Sequence, residues 1–242
     1  MTSEAVLVFA RAPVAGEVKT RLSAGLGIGQ TLELYRAFLS DTLESARRAA
    51  SHVFLAHTPS PPFPEMARAD VVFEQRGRGF GERFDGALAD ARAALPRDAA
   101  VIVIGADTPH LSPFAIRRAF DALRRSGGVI GPSEDGGFYL LGLRGHSPPL
   151  SRCFGVPERA YMRVGSALRD AGIDVTSLDS LFDVDNAADL DRLDSLLRSG
   201  RNGSAEWIPP ATSRLLAGAF GAGSRQRASA ALSTAAIPDS RA

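Results

Sequence analysis

Hydrophobic residues along this chain follow two patterns. Short unbroken apolar runs occur at residues 5–10, 53–56, 71–73, 101–104, 129–130 and 138–143, most of them bounded by glycine, proline or charge, and the mixed stretch 173–178 reads as a last strand. Between several of them lie longer stretches where apolar residues return every three or four positions. Unbroken β-branched and aliphatic runs such as Val101-Ile102-Val103-Ile104 predict strands buried on both faces, the signature of a parallel sheet. The spaced positions Leu32, Tyr35, Phe38, Leu39, Thr42, Leu43 and Ala46 predict a crossover helix over 31–50. A second helix is predicted on Phe84, Leu88, Ala91 and Leu95, and a third after Ser112-Pro113, read as N-cap and first helical residue. Further helices are predicted over 161–171, stopped by Gly172, and from Asn186 through Leu190, Leu193 and Leu197. Strands alternating with helices define an α/β fold.

Length and composition narrow this further. At 242 residues with 45% apolar and 23% charged residues, one good-sized core is expected, and a net charge of +1 supplies no global field for nucleic acid or an anionic membrane. The short apolar run at the start has no basic segment ahead of it, and no run reaches membrane-spanning length, so neither secretion nor a membrane span is expected. The lone Cys153 allows no internal disulfide and suits a reducing cytoplasm; it reads as a buried thiol. Residues 1–199 are expected to form the domain. Residues 200–242, rich in Gly, Ala, Ser and Arg, are expected to lie outside its core and to be largely disordered, with a short helix around 212–219.

The chemistry clusters where predicted strands end. Ligands of open α/β sheets bind at the carboxyl ends of the strands, and Asp107 is the first charge after the 101–104 run. The first strand leads into Arg11-Ala12-Pro13-Val14-Ala15-Gly16-Glu17-Val18-Lys19-Thr20-Arg21, a loop with three cations and one carboxylate that is suited to phosphates or is simply solvated. It is not a Walker A loop, because Ala12 and Val18 stand where that motif needs glycine. Residues 75–84 bring three glycines and three arginines to a helix start, and Gly81 there offers an anion seat or turn punctuation. Asp135, Gly136 and Gly137 form a loop where backbone could approach a substrate, or an Asp-Gly hairpin turn.

Asp183 and Asp185 have a different meaning from their neighbours. Helix capping accounts for Asn186 and Asp189 but not for them. If the segment is extended, both carboxylates point to one side, and like charges so placed call for a cation between them. Oxygen ligands without His or Cys suit Mg²⁺ or Mn²⁺, with Asp107, Asp183 and Asp185 as ligands and Arg11, Lys19 and Arg21 facing phosphate oxygens. His110 has no second His or Cys at metal spacing and reads as a loop residue.

Four segments in order carry a family resemblance over residues 5–198: Phe9-Ala10-Arg11-Ala12-Pro13 with Gly16 and Lys19-Thr20-Arg21-Leu22; Gly105-Ala106-Asp107-Thr108-Pro109; Gly131-Pro132 with Asp135-Gly136-Gly137-Phe138-Tyr139-Leu140-Leu141-Gly142; and Asp183-Val184-Asp185 with Asp189-Leu190. Together they resemble the radical-SAM/selenodomain-associated transferase family, also named arsenosugar-biosynthesis glycosyltransferase. The resemblance implies the nucleotide-diphospho-sugar transferase (glycosyltransferase type A) fold, a three-layer α/β/α sandwich with a mostly parallel central sheet. That superfamily also holds the phospholactate guanylyltransferases and the molybdenum-cofactor nucleotidyltransferases. It implies nucleotide phosphates on Lys19 and Arg21, and Mg²⁺ on Asp107, Asp183 and Asp185. Asp107 has Gly105 two residues before it, where typical glycosyltransferases have a second Asp.

Three functions follow as expectations. The first is metal-dependent glycosyl transfer from a nucleotide sugar to a small acceptor, with Asp107 and Asp135 as catalytic residues. The second is guanylyltransferase-like nucleotidyl transfer, joining a nucleoside triphosphate to a small phosphorylated acceptor with pyrophosphate release, which a loop holding Arg11, Lys19 and Arg21 suits chemically. The third is a non-catalytic nucleotide-binding module, which would need the phosphate loop but not the carboxylates.

Overall fold

The computed structural model describes residues 3–146, 148–199 and 207–218. Seven strands form one sheet: β1 (Glu4–Ala10), β2 (His52–His57), β3 (Val71–Glu74), β4 (Ala100–Ile104), β5 (Gly128–Pro132), β6 (Phe138–Arg144) and β7 (Val175–Ser177). Their spatial order is β3-β2-β1-β4-β6-β5-β7. Neighbours run parallel except at β6, which is antiparallel to both β4 and β5. β6 therefore starts at the edge of the sheet where β1, β4 and β5 end, and all four bring their loops to one side.

Alternation along the strands supplies both faces. Val6, Val8, Ile102 and Ile104 pack under α2 (Ile28–Ala49) and α4 (Pro113–Leu123), while Ala5, Leu7, Val101 and Val103 pack under α3 (Phe80–Ala93) and α5 (Ala160–Asp170). That is the three-layer sandwich expected from the sequence. The predicted cap of α4 is present, with Ser112 Oγ accepting the Ala115 N–H at 3.1 Å. Cys153 is buried, and burial raises its thiol pKa. No helix among the described residues is long and apolar enough to cross a membrane.

Two elements differ from the sequence reading. The basic segment, expected as a loop through Leu22, turns helical at Thr20: α1 (Thr20–Leu26) is a seven-residue helix with a single buried side chain, Leu22, and no side-chain cap. Such a helix has no apolar stripe to announce it, and it is held by packing with α2 and α6 (Ala187–Ser199). The second difference is in the segment after 199: the short helix expected around 212–219 is present as α7 (Pro210–Gly218), but it packs on the domain, with Trp207 and Leu216 buried. The buried Asp41 of α2 accepts the Ala211 N–H at 2.9 Å and the Thr212 N–H at 2.7 Å, satisfying two donors at the start of α7. Residues 200–206 and 219–242 of the expected tail lie outside the described residues.

Replacing Asp41 by Ala removes this cap and leaves those two donors without a carboxylate. The expected loss is about 1–2 kcal/mol, read as a lowered denaturant midpoint. An unchanged midpoint would mean that α7 contributes nothing to the stability of the domain.

Candidate active site at the carboxyl edge of the sheet

Lys19 is the centre of this edge. Among the described residues it is the only non-glycine with positive φ (47°), a strained conformation of the kind found at ligand sites. Val18 beside it is buried, and the turn at Gly16 brings the chain back under the sheet edge. The Lys19 side chain is 5% exposed, and its Nζ lies 2.6 Å from Asp107 Oδ1 and 2.7 Å from Asp185 Oδ1. Burial alone would lower the lysine pKa. The two carboxylates outweigh it and hold the pKa above its usual value, so the ammonium is charged.

The acids are placed by backbone. Asp107 leaves β4 two residues beyond a glycine, and its carbonyl accepts the Val184 N–H at 2.9 Å, tying the 181–185 segment across the ends of the strands. Leu181 bridges Ser133 on the extension of β5, its N–H donating to the Pro132 carbonyl and its own carbonyl accepting the Glu134 N–H, and the segment continues with Phe182 and Val184 buried. Asp183 and Asp185 alternate with these and line one cavity together with Asp107, as extended geometry requires. Their local partners differ. Asp185 holds Lys19, whereas Asp183 Oδ1 accepts the Thr108 hydroxyl at 2.6 Å. Burial pushes the Asp183 pKa up to about 6; the Thr108 and Ser133 hydroxyls pull it down, and Asp107 and Asp135 add to the rise. Asp189 Oδ2 accepts the Asp185 and Asn186 N–H groups at 3.0 and 3.1 Å, so the capping role read for Asp189 is separate from the ion pair.

A metal suits this donor set in a specific sense. Asp107 and Asp185 already converge on one cationic atom, the Lys19 ammonium, which stands where a hard cation would. Among the described residues no three acidic, His or Cys side chains converge as a closed cage. A metal between these two carboxylates therefore requires Lys19 to withdraw.

The remaining predicted residues divide between two adjoining cavities. A basin of about 370 Å³ is lined by Arg11, Lys19, Arg21 and Arg83. Arg11 Nη1 donates to the Glu17 carbonyl at 2.8 Å, and the Arg11 carbonyl accepts the buried Tyr35 hydroxyl at 2.9 Å, which fixes the loop. Beyond the shared acids, a second cavity of about 470 Å³ is lined by Asp135 and Gly137 on one side and phenylalanines on the other. Asp135 Oδ1 accepts the Gly137 N–H at 2.9 Å.

Two predicted glycines serve packing. At Gly136 (φ +91°) an added Cβ would lie 2.0 Å from the Glu158 carbonyl oxygen, and at Gly81 one would lie 2.3 Å from that of Ser151. Gly81 lines neither cavity; its helix neighbours Phe80 and Arg83 do. At the start of that helix the Arg78 N–H donates to Glu82 at 2.9 Å. Sequence reasoning did not single out Arg83, Thr108 or the phenylalanine wall, though the spacing of Phe80 and Arg83 along one helix turn was available as a signal. His110 is buried against Phe182 with ring centroids 4.4 Å apart, and burial lowers its pKa to about 4, so it is a neutral packing residue.

The architecture is that of the nucleotide-diphospho-sugar transferases. The chain is similar to a crystallised "putative nucleotide-diphospho-sugar transferase" from Desulfovibrio desulfuricans, at 27% identity and a TM-score of 0.78 over 94% of this chain and 99% of that one. A cytidylyltransferase from Leptospira borgpetersenii shares the fold at 14% identity and a TM-score of 0.53, over 90% of this chain and 94% of that one. So does the 4-diphosphocytidyl-2C-methyl-D-erythritol synthase of Anaerococcus prevotii, at 10% identity and 0.51, over 81% and 99%. Residues 39–156 match the family described as "Uncharacterized protein conserved in bacteria (DUF2064)". No curated protein matches the sequence.

The Asp183 environment predicts a pH signature in metal-free protein. Its folded pKa of about 6 lies above the ordinary 3.8, so folding penalises the ionised form. That penalty is full above about pH 6 and is relieved as pH falls towards 3.8. With chelator present, Asp183→Asn should stabilise the fold by about 1–3 kcal/mol near neutral pH, and the gain should shrink towards pH 4. Chemical denaturation across this range checks it; no gain at neutral pH contradicts the assignment.

Proposed function

We propose that the protein is a divalent-cation-dependent transferase with a nucleotide-activated donor, and that it moves a glycosyl group from a nucleotide sugar to a small acceptor. The observation that carries this reading is the buried Lys19 ammonium held between Asp107 and Asp185 at the mouth of an arginine-lined basin. Four cations around one basin suit a diphosphate, and two converging carboxylates suit a hard cation that also binds phosphate oxygens. Asp107 and Asp185, with Asp183 beside them, would hold Mg²⁺ or Mn²⁺. When bound, that ion supplies charge stabilisation for the departing nucleoside diphosphate.

In this reading Lys19 exchanges its carboxylate partners for a phosphate oxygen across the same basin. Arg11, Arg21 and Arg83 bind and orient the diphosphate, leaving the sugar at the acids shared with the second cavity. Asp135, at the edge of that cavity, takes the proton of the acceptor hydroxyl, on a loop shaped by Gly136 and Gly137. A bond forms between the acceptor oxygen and the anomeric carbon as the bond from that carbon to the diphosphate oxygen breaks. The nucleoside diphosphate leaves with the electron pair. The likeness to the Desulfovibrio protein, spanning 94% of this chain, favours a nucleotide sugar as donor. Nucleotidyl transfer is the second reading, favoured by the four cations of the basin, which also suit the β- and γ-phosphates of a triphosphate.

A nucleotide sugar with Mn²⁺ at ~100 times its dissociation constant should stabilise the protein by about 2.7 kcal/mol, and Asp107→Asn should abolish the metal-dependent part. Asp135→Asn should lower turnover by about 10²–10⁴ while nucleotide affinity is unchanged. Release of nucleoside diphosphate marks glycosyl transfer and release of pyrophosphate marks nucleotidyl transfer; full activity in Asp107→Asn contradicts both.

A further inference from the structure

The second cavity differs in chemistry from the basin it adjoins. Five phenylalanines build one wall: Phe9, Phe80, Phe84, Phe138 and Phe154. They touch in a chain of edge and tilted contacts, with centroids 5.4 Å apart for Phe9–Phe80, 5.0 Å for Phe80–Phe154, 5.1 Å for Phe84–Phe154 and 6.1 Å for Phe84–Phe138. Phe84 belongs to the core, but Phe80 is 48% exposed and Phe9, Phe138 and Phe154 are only partly buried. A connected aromatic surface left open to solvent beside a group of acids is a binding surface in form.

Charge narrows what it binds. Asp107, Asp135, Asp183 and Asp185 line this cavity, and among the described residues no lysine or arginine does. Arg11, Arg21 and Arg83 line the basin on the other side of the shared wall, and Lys19 lies at the boundary on Asp107 and Asp185. Lys19 is already engaged by Asp107 and Asp185, so a phosphate or carboxylate entering the aromatic cavity would meet Asp135 and Asp183 with no further cation on the lining to receive it, which is an electrostatic rejection built into the site. The two cavities share Phe9, Phe80, Asp107 and Asp185, so a donor with its phosphates in the basin presents its reacting end at the boundary.

We propose that the phenylalanine-lined cavity is the acceptor subsite and that it selects an uncharged hydroxyl compound with a ring-sized apolar body, rejecting phosphorylated or carboxylated acceptors. This rests on the transferase reading above and sharpens it, since the nucleotidyl alternative was framed around a phosphorylated acceptor. The ring body stacks on Phe138 and Phe154, and the hydroxyl is placed towards Asp135, clear of the basin where the phosphates bind. The rival occupant of an aromatic wall is the nucleobase of the donor, and it predicts a different dependence on Phe154.

Saturation-transfer NMR on the full chain separates these, using phenethyl alcohol, phenethyl phosphate, and uridine and guanosine diphosphates with Mg²⁺. Wild-type protein should give ring signals with phenethyl alcohol and signals at least about fivefold weaker with phenethyl phosphate. In Phe154→Lys, which places a cation in the cavity, the order should invert while the nucleotide signals persist. Equal or stronger binding of the phosphate by wild type overturns the charge selection, a measurement that needs no variant. Loss of the nucleotide signal in a folded Phe154→Lys makes the wall a nucleobase seat and overturns the subsite. Absence of any nucleotide signal from wild type sinks the donor reading, whereas absence of the phenethyl alcohol signal alone sinks the acceptor subsite.

Discussion

The arrangement at the carboxyl edge depends on one buried charge. A lysine ammonium removed from water is costly unless it is paired, and the two aspartates repel each other unless a cation stands between them. Each side therefore needs the other. Lys19 arrives in a left-handed conformation from the loop after β1, Asp107 from the end of β4, and Asp185 from the segment tied to the extension of β5. Three parts of the chain distant in sequence are locked at one point by this ion triad, and the cavities on either side exist because those loops meet there. Strain at Lys19 and a desolvated Asp183 are local losses of stability of the kind that binding sites carry.

The triad also divides the surface. On one side lie Arg11, Arg21 and Arg83, on the other the phenylalanines with Asp135. Antiparallel β6 makes this division possible, because it starts where its neighbours end and so delivers Phe138 and the Asp135 loop to the same edge as Lys19 and Asp107. A cationic compartment meeting an apolar one at a carboxylate boundary is suited to joining two reactants of opposite character, which is the physical content of the proposed transfer.

Much of the fold was legible because its signals are local. Unbroken apolar runs marked six of the seven strands, most clearly β1 and β4, whose burial on both faces leaves no polar side to interrupt them, while β7 was read from the mixed stretch Ile173 to Leu178. Helix α4 was visible down to its cap. The helix at Thr20 was not, because seven residues with one buried side chain leave no periodicity, and α7 was legible as a short helix whereas its docking through Trp207 and Leu216 was not, in a Gly- and Ser-rich setting. At the site, the charged residues were legible singly at strand ends. Their pairing was not. Lys19 reads as a phosphate ligand on a loop, and only tertiary contact shows it gripping Asp107 and Asp185. Gly81 and Gly136 looked like ligand-facing glycines, but each is placed against a carbonyl of a neighbouring segment, a constraint that no local pattern encodes. The phenylalanine wall comes from β1, α3, β6 and the turn after Leu150, so its members are invisible as a group until the sheet assembles them.

The central claim is that the slot between Asp107 and Asp185 is a cation site from which Lys19 moves aside when metal and nucleotide arrive. Anomalous diffraction at the manganese edge, from crystals grown with Mn²⁺ and a nucleoside diphosphate, tests it most directly. The account predicts an anomalous peak between these two carboxylates, with the Lys19 ammonium displaced from both and facing a phosphate oxygen. A Lys19 still bound to Asp107 and Asp185, with nucleotide present and manganese elsewhere or absent, would contradict it.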